Sequence, residues 1–240
     1  NEYVWRNEAL HGVVANNENC DSCINETTVF PQSIGLASTW NLDLVYKEAT
    51  AISEEARALA NTLNNSRYLN FWNPMINIAR DPRWGRTQEG YGEDPFLVSK
   101  IAVEYIKGLQ GKDEKYLKAI ASPKHFVANN VDGDRHFTNS KIDDKILRDY
   151  YFPAFRSSII EGKAQGLMSA YNALNGVPCS GNNLLLNDIL RGEWGFKGHV
   201  VSDCGAIYNI HANHFFTETP YEGVALSLIH ISEPTRLTSI

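Results

Sequence analysis

Short apolar runs recur along the chain, each closing on polar residues. They span residues 34–37, 71–78, 119–126, 166–171 and 199–203. Runs of about 4–8 residues fit buried parallel strands, although periodicity alone leaves a helix open for each. Longer segments with helical spacing lie between them. Residues 43–63 are rich in Ala, Glu and Leu. Asp94-Pro95 pairs a cap with a proline at the first helical position. The helix it starts is expected to pass through Leu97, Ile101 and Tyr105 to a stop at Gly108. Residues 143–161 carry Ile146, Tyr150, Phe155 and Ile159 before Gly162, and residues 184–194 close at Gly195. This alternation predicts an α/β fold with a parallel sheet, either open and doubly wound or closed into a barrel.

Composition narrows the function classes. A chain of 240 residues has room for one to two domains and a sizeable core. With 43% hydrophobic and 21% charged residues it has the make-up of a folded globular chain. The balance of 22 basic against 28 acidic residues, without a basic stripe, argues against nucleic acid as a partner. No apolar run approaches the roughly 18 residues of a membrane span. Residue 1 is Asn, and no charged-then-apolar leader follows it. No G-x-G-x-x-G or G-x-x-x-x-G-K-[ST] follows a strand, so dinucleotide and P-loop readings lose their support. The histidines are scattered and none pairs with Glu as a zinc hydrolase helix needs, so neither metal nor organic cofactor is expected. Cys20 and Cys23 form a lone C-x-x-C, read as incidental thiols. Cys179 and Cys204 follow successive strand ends, which leaves a disulfide between them open. Asn25-Glu26-Thr27 and Asn64-Asn65-Ser66 match the N-glycosylation pattern, which has meaning only in a eukaryotic secreted protein.

In parallel α/β folds ligands bind at the carboxyl ends of the strands. The residues after each run are therefore the candidates: Ser38 to Asn41; Arg80 to Arg86, with Glu89, Glu93 and Asp94; Lys124-His125; Tyr171-Asn172; and Asp203-Cys204. Each has a structural reading as well. Asp203 could cap a helix, Lys124 and His125 could be a solvated loop pair, Arg86 could pair with Glu89 or Asp94, and Tyr171 could be core. Their convergence on one sheet end favours a site, and the inventory suits a polyol. Carboxylate, Arg, Lys and His bind hydroxyls, and Trp40, Trp72 or Trp84 could floor a sugar ring. A carboxylate at a strand end could act as nucleophile, held ionised by Lys124 and Arg135.

The motifs carrying these residues resemble glycoside hydrolase family 3. In order they are N-E-A-L-H-G at 7–12, F-P-Q at 30–32, NIARDPRWGR at 77–86, E-D-P at 93–95, K-H-F at 124–126, G-D-R at 133–135, S-A-Y-N at 169–172 and V-S-D-C-G-A at 201–206. The resemblance, to the N-terminal catalytic domain, runs from about Tyr3 to about Ala225. It implies an α/β fold of the (β/α)₈ TIM type, here a partial barrel over residues 1–225, truncated before its last strands. It implies retaining hydrolysis of β-linked sugars from the non-reducing end. Asp203 would be the nucleophile. Arg86, Lys124, His125, Arg135 and Tyr171 would bind the glycone, and Glu8 a hydroxyl far from the anomeric carbon. The acid/base would come from a second, C-terminal domain absent from this chain, with Glu89 and Glu93 structural, so the chain alone is expected to turn over little substrate.

N-E-A-L-H-G, where glucoside-acting members usually carry Asp-Gly-Pro, and S-D-C rather than S-D-W point to the β-xylosidase and α-L-arabinofuranosidase branch. The expected partner is an oligosaccharide or aryl glycoside. Polysaccharide-degrading relatives suggest the periplasm or the cell exterior. Residues 226–236 (LSLIHISEPTR) read like a translated sequencing adapter, so 226–240 is expected to be a non-native tail. Three other readings stay open: a β-glucosidase, a non-catalytic sugar-binding barrel, and a Schiff-base enzyme using Lys124.

Overall fold

The computed structural model describes residues 7–14, 27–113 and 115–230. Helices α1 (Ser33–Ala37) and α2 (Leu42–Leu63) come first, followed by strand β1 (Asn70–Phe71), helix α3 (Pro95–Gln110) and strand β2 (Ile120–Ala121). Strand β3 (Asn139–Ser140), α4 (Asp144–Ile146), α5 (Pro153–Ile160) and β4 (Gly166–Ser169) lead to the hairpin β5 (Ala173–Leu174) and β6 (Val177–Pro178). A wide-pitched helix over Leu184–Glu193, strand β7 (His199–Ser202), α6 (Ala206–Ala212) and α7 (Pro220–His230) complete the order.

The central strands are all parallel, and each lies beside its predecessor. β1 pairs with β2 through Asn70↔Ile120 and Phe71↔Ala121, and the pairing resumes at Met75↔Lys124. Beyond β2, Phe126 pairs with Ser169 of β4. β4 and β7 pair from Gly166↔His199 to Ser169↔Ser202. On the other side of β1, the Trp72 N–H donates to the Asn7 carbonyl at 2.9 Å. Helices cross between consecutive strands, as the arc of a (β/α) barrel requires. β3, β5 and β6 form a small side sheet.

Local chemistry explains the helix ends. The Asn41 side chain accepts from the Leu44 N–H at 3.0 Å to open α2, and left-handed Asn64 (φ +47°) ends it. Asp94 opens α3 by accepting from the Leu97 N–H at 2.6 Å, with Pro95 at the first turn. Between β2 and β4 the expected single helix is broken. Pro153 has no N–H to give the preceding turn, so the chain widens over Leu147–Tyr151 and the Phe152 N–H reaches Leu147 O at 2.8 Å. The apolar core lies between the sheet and these helices. At its centre Phe126 meets Phe152, Phe155 and Trp194 at ring-centroid distances of 6.0, 5.1 and 5.7 Å.

Two expectations change. Residues 34–37 form helix α1, not a strand. The Ser38 N–H and hydroxyl both return to Ile34 O, at 3.1 and 2.7 Å, and the Thr39 hydroxyl returns to Leu36 O at 2.7 Å. Gly108 does not stop α3, which runs on to Gln110 and is capped by Gly111 at φ +82°.

A buried polar layer crosses the sheet away from the polar strand ends. Asn70 Nδ2 donates to His199 Nε2 at 3.3 Å, and its Oδ1 accepts from Ser122 Oγ at 3.1 Å. Burial holds the His199 ring at about 4, below its usual value. As pH falls, the unfolded chain then takes up the proton first, and stability is lost between the ordinary imidazole range and about pH 4. Burial depresses His125 and His214 in the same sense. Urea titration should show His199 alone costing on the order of 1–2 kcal/mol between pH 7 and pH 5. His199→Gln should remove that share of the slope; an unchanged slope would assign it elsewhere.

Candidate active site

A cavity of about 450 Å³ opens at the carboxyl ends of the strands. Trp72 follows β1, Lys124 and His125 follow β2, Tyr171 follows β4 and Asp203 follows β7. All seven residues singled out in the sequence line it: Glu8, Arg86, Lys124, His125, Arg135, Tyr171 and Asp203. Trp72, Gly85, Glu89, Asp132 and Cys204 complete the wall.

Most charges in the cavity are already matched. Lys124 Nζ, on a side chain only 6% exposed, donates to both Glu8 oxygens at 2.9 and 2.8 Å. Burial raises the Glu8 carboxyl above its ordinary range, and the Lys124 ammonium opposes that shift only in part. Arg86 grips Glu89 through Nε (2.9 Å) and Nη2 (2.7 Å), and its Nη1 lies 3.3 Å from His125 Nε2. Arg135 pairs with Asp132 at 3.1 Å, and its guanidinium sits 5.1 Å from the centre of the Tyr171 ring. The edge of His136 meets the same ring at 4.5 Å, and the His214 Nε2–H holds the Tyr171 carbonyl at 2.8 Å. Burial and the neighbouring Asp203 carboxylate push the Tyr171 hydroxyl well above its usual value.

Asp203 differs from the other carboxylates. Its Oδ1 accepts from the Cys204 N–H at 2.8 Å, and its Oδ2 lies 3.4 Å from His125 Nε2. It does not cap α6. Gly205, at φ +76°, occupies the cap, and the backbone carbonyl of Asp203 takes the Ala206 N–H at 2.9 Å. Of the two cations expected beside Asp203, Lys124 pairs with Glu8 and Arg135 with Asp132, and Arg86 has an electrostatic interaction with Asp203.

Other expectations sort by position. Of the three tryptophans only Trp72 lines the cavity; Trp40 is 75% exposed elsewhere and Trp84 is buried in the fold. Cys179 and Cys204 are both free. Cys179 is buried against Val127 O at 3.7 Å, whereas Cys204 faces the cavity, so their side chains point to different surroundings. Glu89 is the partner of Arg86, and Glu93 meets Tyr150 through its backbone carbonyl. The Cys20–Cys23 pair, Asn25-Glu26 and residues 231–240 lie outside the described residues, while α7 includes residues 226–230 of the expected tail. Among the described residues no group of His, Cys, Asp or Glu could hold a metal, and no helix is long and apolar enough to cross a membrane.

Sequence reasoning missed two residues. Asp132 stands three positions before Arg135, a spacing at which a turn brings the two charges together, and that signal was available. Asn77 opens a recognised motif, but its contact with His125, 48 positions away, cannot be read from spacing.

Comparison with known proteins agrees with this geometry. Residues 4–228 match the family model of the glycosyl hydrolase family 3 N terminal domain. Beta-D-xylosidase 3 of Arabidopsis thaliana is 39% identical over 236 residues, which is 95% of this chain and 30% of that protein. The xylan 1,4-beta-xylosidase of Xylanibacter ruminicola is 40% identical over 95% of this chain and 27% of its own length. This chain thus spans less than a third of the curated relatives it matches. A solved GH3 exo-beta-xylosidase in complex with a xylobiose aziridine activity-based probe superposes with a TM-score of 0.88, at 34% identity over 96% of this chain and 31% of that one. A beta-glucosidase from Listeria innocua in complex with glucose gives 0.77, at 30% identity over 92% of this chain and 28% of that one. Strand order, motif order and these likenesses agree: the chain belongs to glycosyl hydrolase family 3, within its N-terminal domain.

Proposed function

We propose that this chain carries the nucleophile half of a retaining, exo-acting glycoside hydrolase that releases β-D-xylose from the non-reducing end of xylo-oligosaccharides. The observation that carries the reading is the state of Asp203. Of the four carboxylates lining the cavity, three are tied to a Lys or Arg, and Asp203 alone has no such cationic partner. A carboxylate oxygen of Asp203 attacks the anomeric carbon and forms a C–O bond while the bond to the leaving oxygen breaks. That oxygen takes its proton from a carboxylic acid supplied by a part of the protein beyond this chain, a second domain in the longer relatives' range of length. The conjugate base then deprotonates a water, which releases the sugar and restores Asp203. Arg86, His125, Arg135 and Tyr171 hold the glycone hydroxyls, and Trp72 faces its C–H surface.

The pentose preference rests on Glu8. Pinned through both oxygens to Lys124, it lines the cavity, and in this reading it fills the room a hexose would need for its hydroxymethyl group. The Schiff-base reading of Lys124 loses ground for the same reason, because two of its three N–H groups are held by Glu8.

The test uses a 2-deoxy-2-fluoro-β-D-xylosyl donor with a dinitrophenolate leaving group, which departs without a general acid. Intact-mass and peptide analysis should find one fluoroxylosyl group on Asp203, formed faster than from the matching glucosyl donor. Faster glucosyl labelling would favour the β-glucosidase reading. Binding without any covalent adduct would leave a sugar-binding barrel.

A further inference from the structure

Asn77, 3% exposed in the extended run after β1, meets His125 three times. Its Nδ2 donates to the His125 carbonyl at 2.9 Å, and the His125 backbone N–H donates to its Oδ1 at 2.9 Å. His125 Nδ1 lies 2.9 Å from the same Oδ1. The two backbone bonds fix the amide, since a flipped amide would set NH₂ against N–H and oxygen against oxygen. Oδ1 carries no hydrogen, so the ring nitrogen facing it is the donor. Burial, with Lys124, Arg86 and Arg135 nearby, disfavours a charge on the ring. A neutral imidazole has a single N–H, so Nε2 keeps its lone pair. It accepts from Arg86 Nη1 at 3.3 Å and faces Asp203 Oδ2 at 3.4 Å with no proton between them. Asp203 Oδ2 is buried and receives no hydrogen bond from His125, while Oδ1 is held by the Cys204 N–H and the Tyr171 hydroxyl also donates to this carboxylate.

We propose that Asn77 is a positioning residue: by holding His125 as the Nδ1–H tautomer, it keeps a hydrogen-bond donor off the Asp203 carboxylate and so leaves the charge of that carboxylate for the attack. The inference rests on Asp203 being the nucleophile. With the proton on Nε2, the ring would aim a donor at Oδ2. That bond would stabilise the carboxylate in the ground state and weaken as the carboxylate charge is lost to the new C–O bond, which raises the barrier.

The test combines a spectroscopic and a chemical readout. In ¹⁵N-histidine-labelled chain, with the His125 signals assigned by their loss in His125→Gln, Nδ1 should carry the proton and Nε2 should be bare at neutral pH. Asn77→Asp keeps an acceptor against Nδ1 and adds a charge that favours the imidazolium. Asn77→Ala removes the acceptor and frees the ring to turn its proton toward Asp203. In whichever variant folds, Nε2 should gain a proton, and labelling of Asp203 by the fluoroxylosyl donor should slow about tenfold. A proton on Nε2 in the unaltered chain overturns the proposal, as does a variant whose labelling rate is unchanged. If the expected tautomer is found but Asp203 takes no label, the nucleophile reading fails and the proposal falls with it.

Discussion

Asp203→Asn is expected to abolish the fluoroxylosyl adduct and to lower kcat/KM on an aryl β-xyloside, in the intact parent protein, by at least about a thousandfold. The structure makes this substitution a clean one. An asparagine keeps the oxygen that accepts from the Cys204 N–H at 2.8 Å. Its new NH₂ faces His125 Nε2, 3.4 Å from Oδ2, whose one lone pair it would share with the Arg86 Nη1–H. Thermal stability should therefore change little while the chemistry is lost. Asp203→Ala should behave differently. It leaves the Cys204 N–H without its partner, and it opens a space in which azide can attack the anomeric carbon. Recovery of turnover with azide, as a glycosyl azide of inverted configuration, would identify the missing group as the nucleophile. A variant that retains a tenth of the original activity would sink the assignment.

Gly108→Ala should destabilise the fold by about 2–3 kcal/mol, as a lower urea midpoint at unchanged slope, even though helix propensity alone favours the change by about 1 kcal/mol. Two effects of opposite sign meet here, and the distances decide between them. A Cβ on Gly108 would lie 2.5 Å from the backbone carbonyl of Tyr46 and 2.8 Å from Ala49 Cβ. Neither neighbour is the loose end of a side chain. The Tyr46 carbonyl belongs to the backbone of α2, so relief requires the two helices to separate. The hydroxyl of Ser53 reaches Gly108 O at 3.3 Å across the same crossing and would be pulled away with it. Gly108→Leu should cost more still. A stabilised Gly108→Ala would mean that propensity outweighs contact at this site.

Much of the framework was legible in the chain. Four of the five apolar runs enter the parallel sheet, because a short, continuous apolar stretch between helices can hide both faces only there. The start of α3 followed from Asp94-Pro95, since a cap and a proline at the first turn act locally. The seven candidate residues share one cavity because consecutive parallel strands bring their carboxyl ends to the same side. The run at 34–37 was misread because four apolar residues carry no period. What makes it helical is the return of Ser38 and Thr39 to carbonyls behind them.

The pairing of charges was not legible. By sequence, Lys124 and Arg135 were the natural counter-ions of Asp203. In the fold, Lys124 meets a carboxylate 116 positions earlier, and Arg135 turns back on Asp132. The ion pair a cation makes depends on which carboxylate is nearest in space, and Coulomb attraction falls off within a few ångströms. The same reason separates the two halves of the reading. Residue types and local order are written in the chain, so the sequence by itself determined the family, the strand–helix rhythm and the list of polar residues at the strand ends. Which glycine is a helix crossing, which of four carboxylates is left without a cationic partner, and which nitrogen of His125 carries its proton depend on contacts between residues tens of positions apart. Only the tertiary structure, by packing those segments within hydrogen-bond distance, decided them.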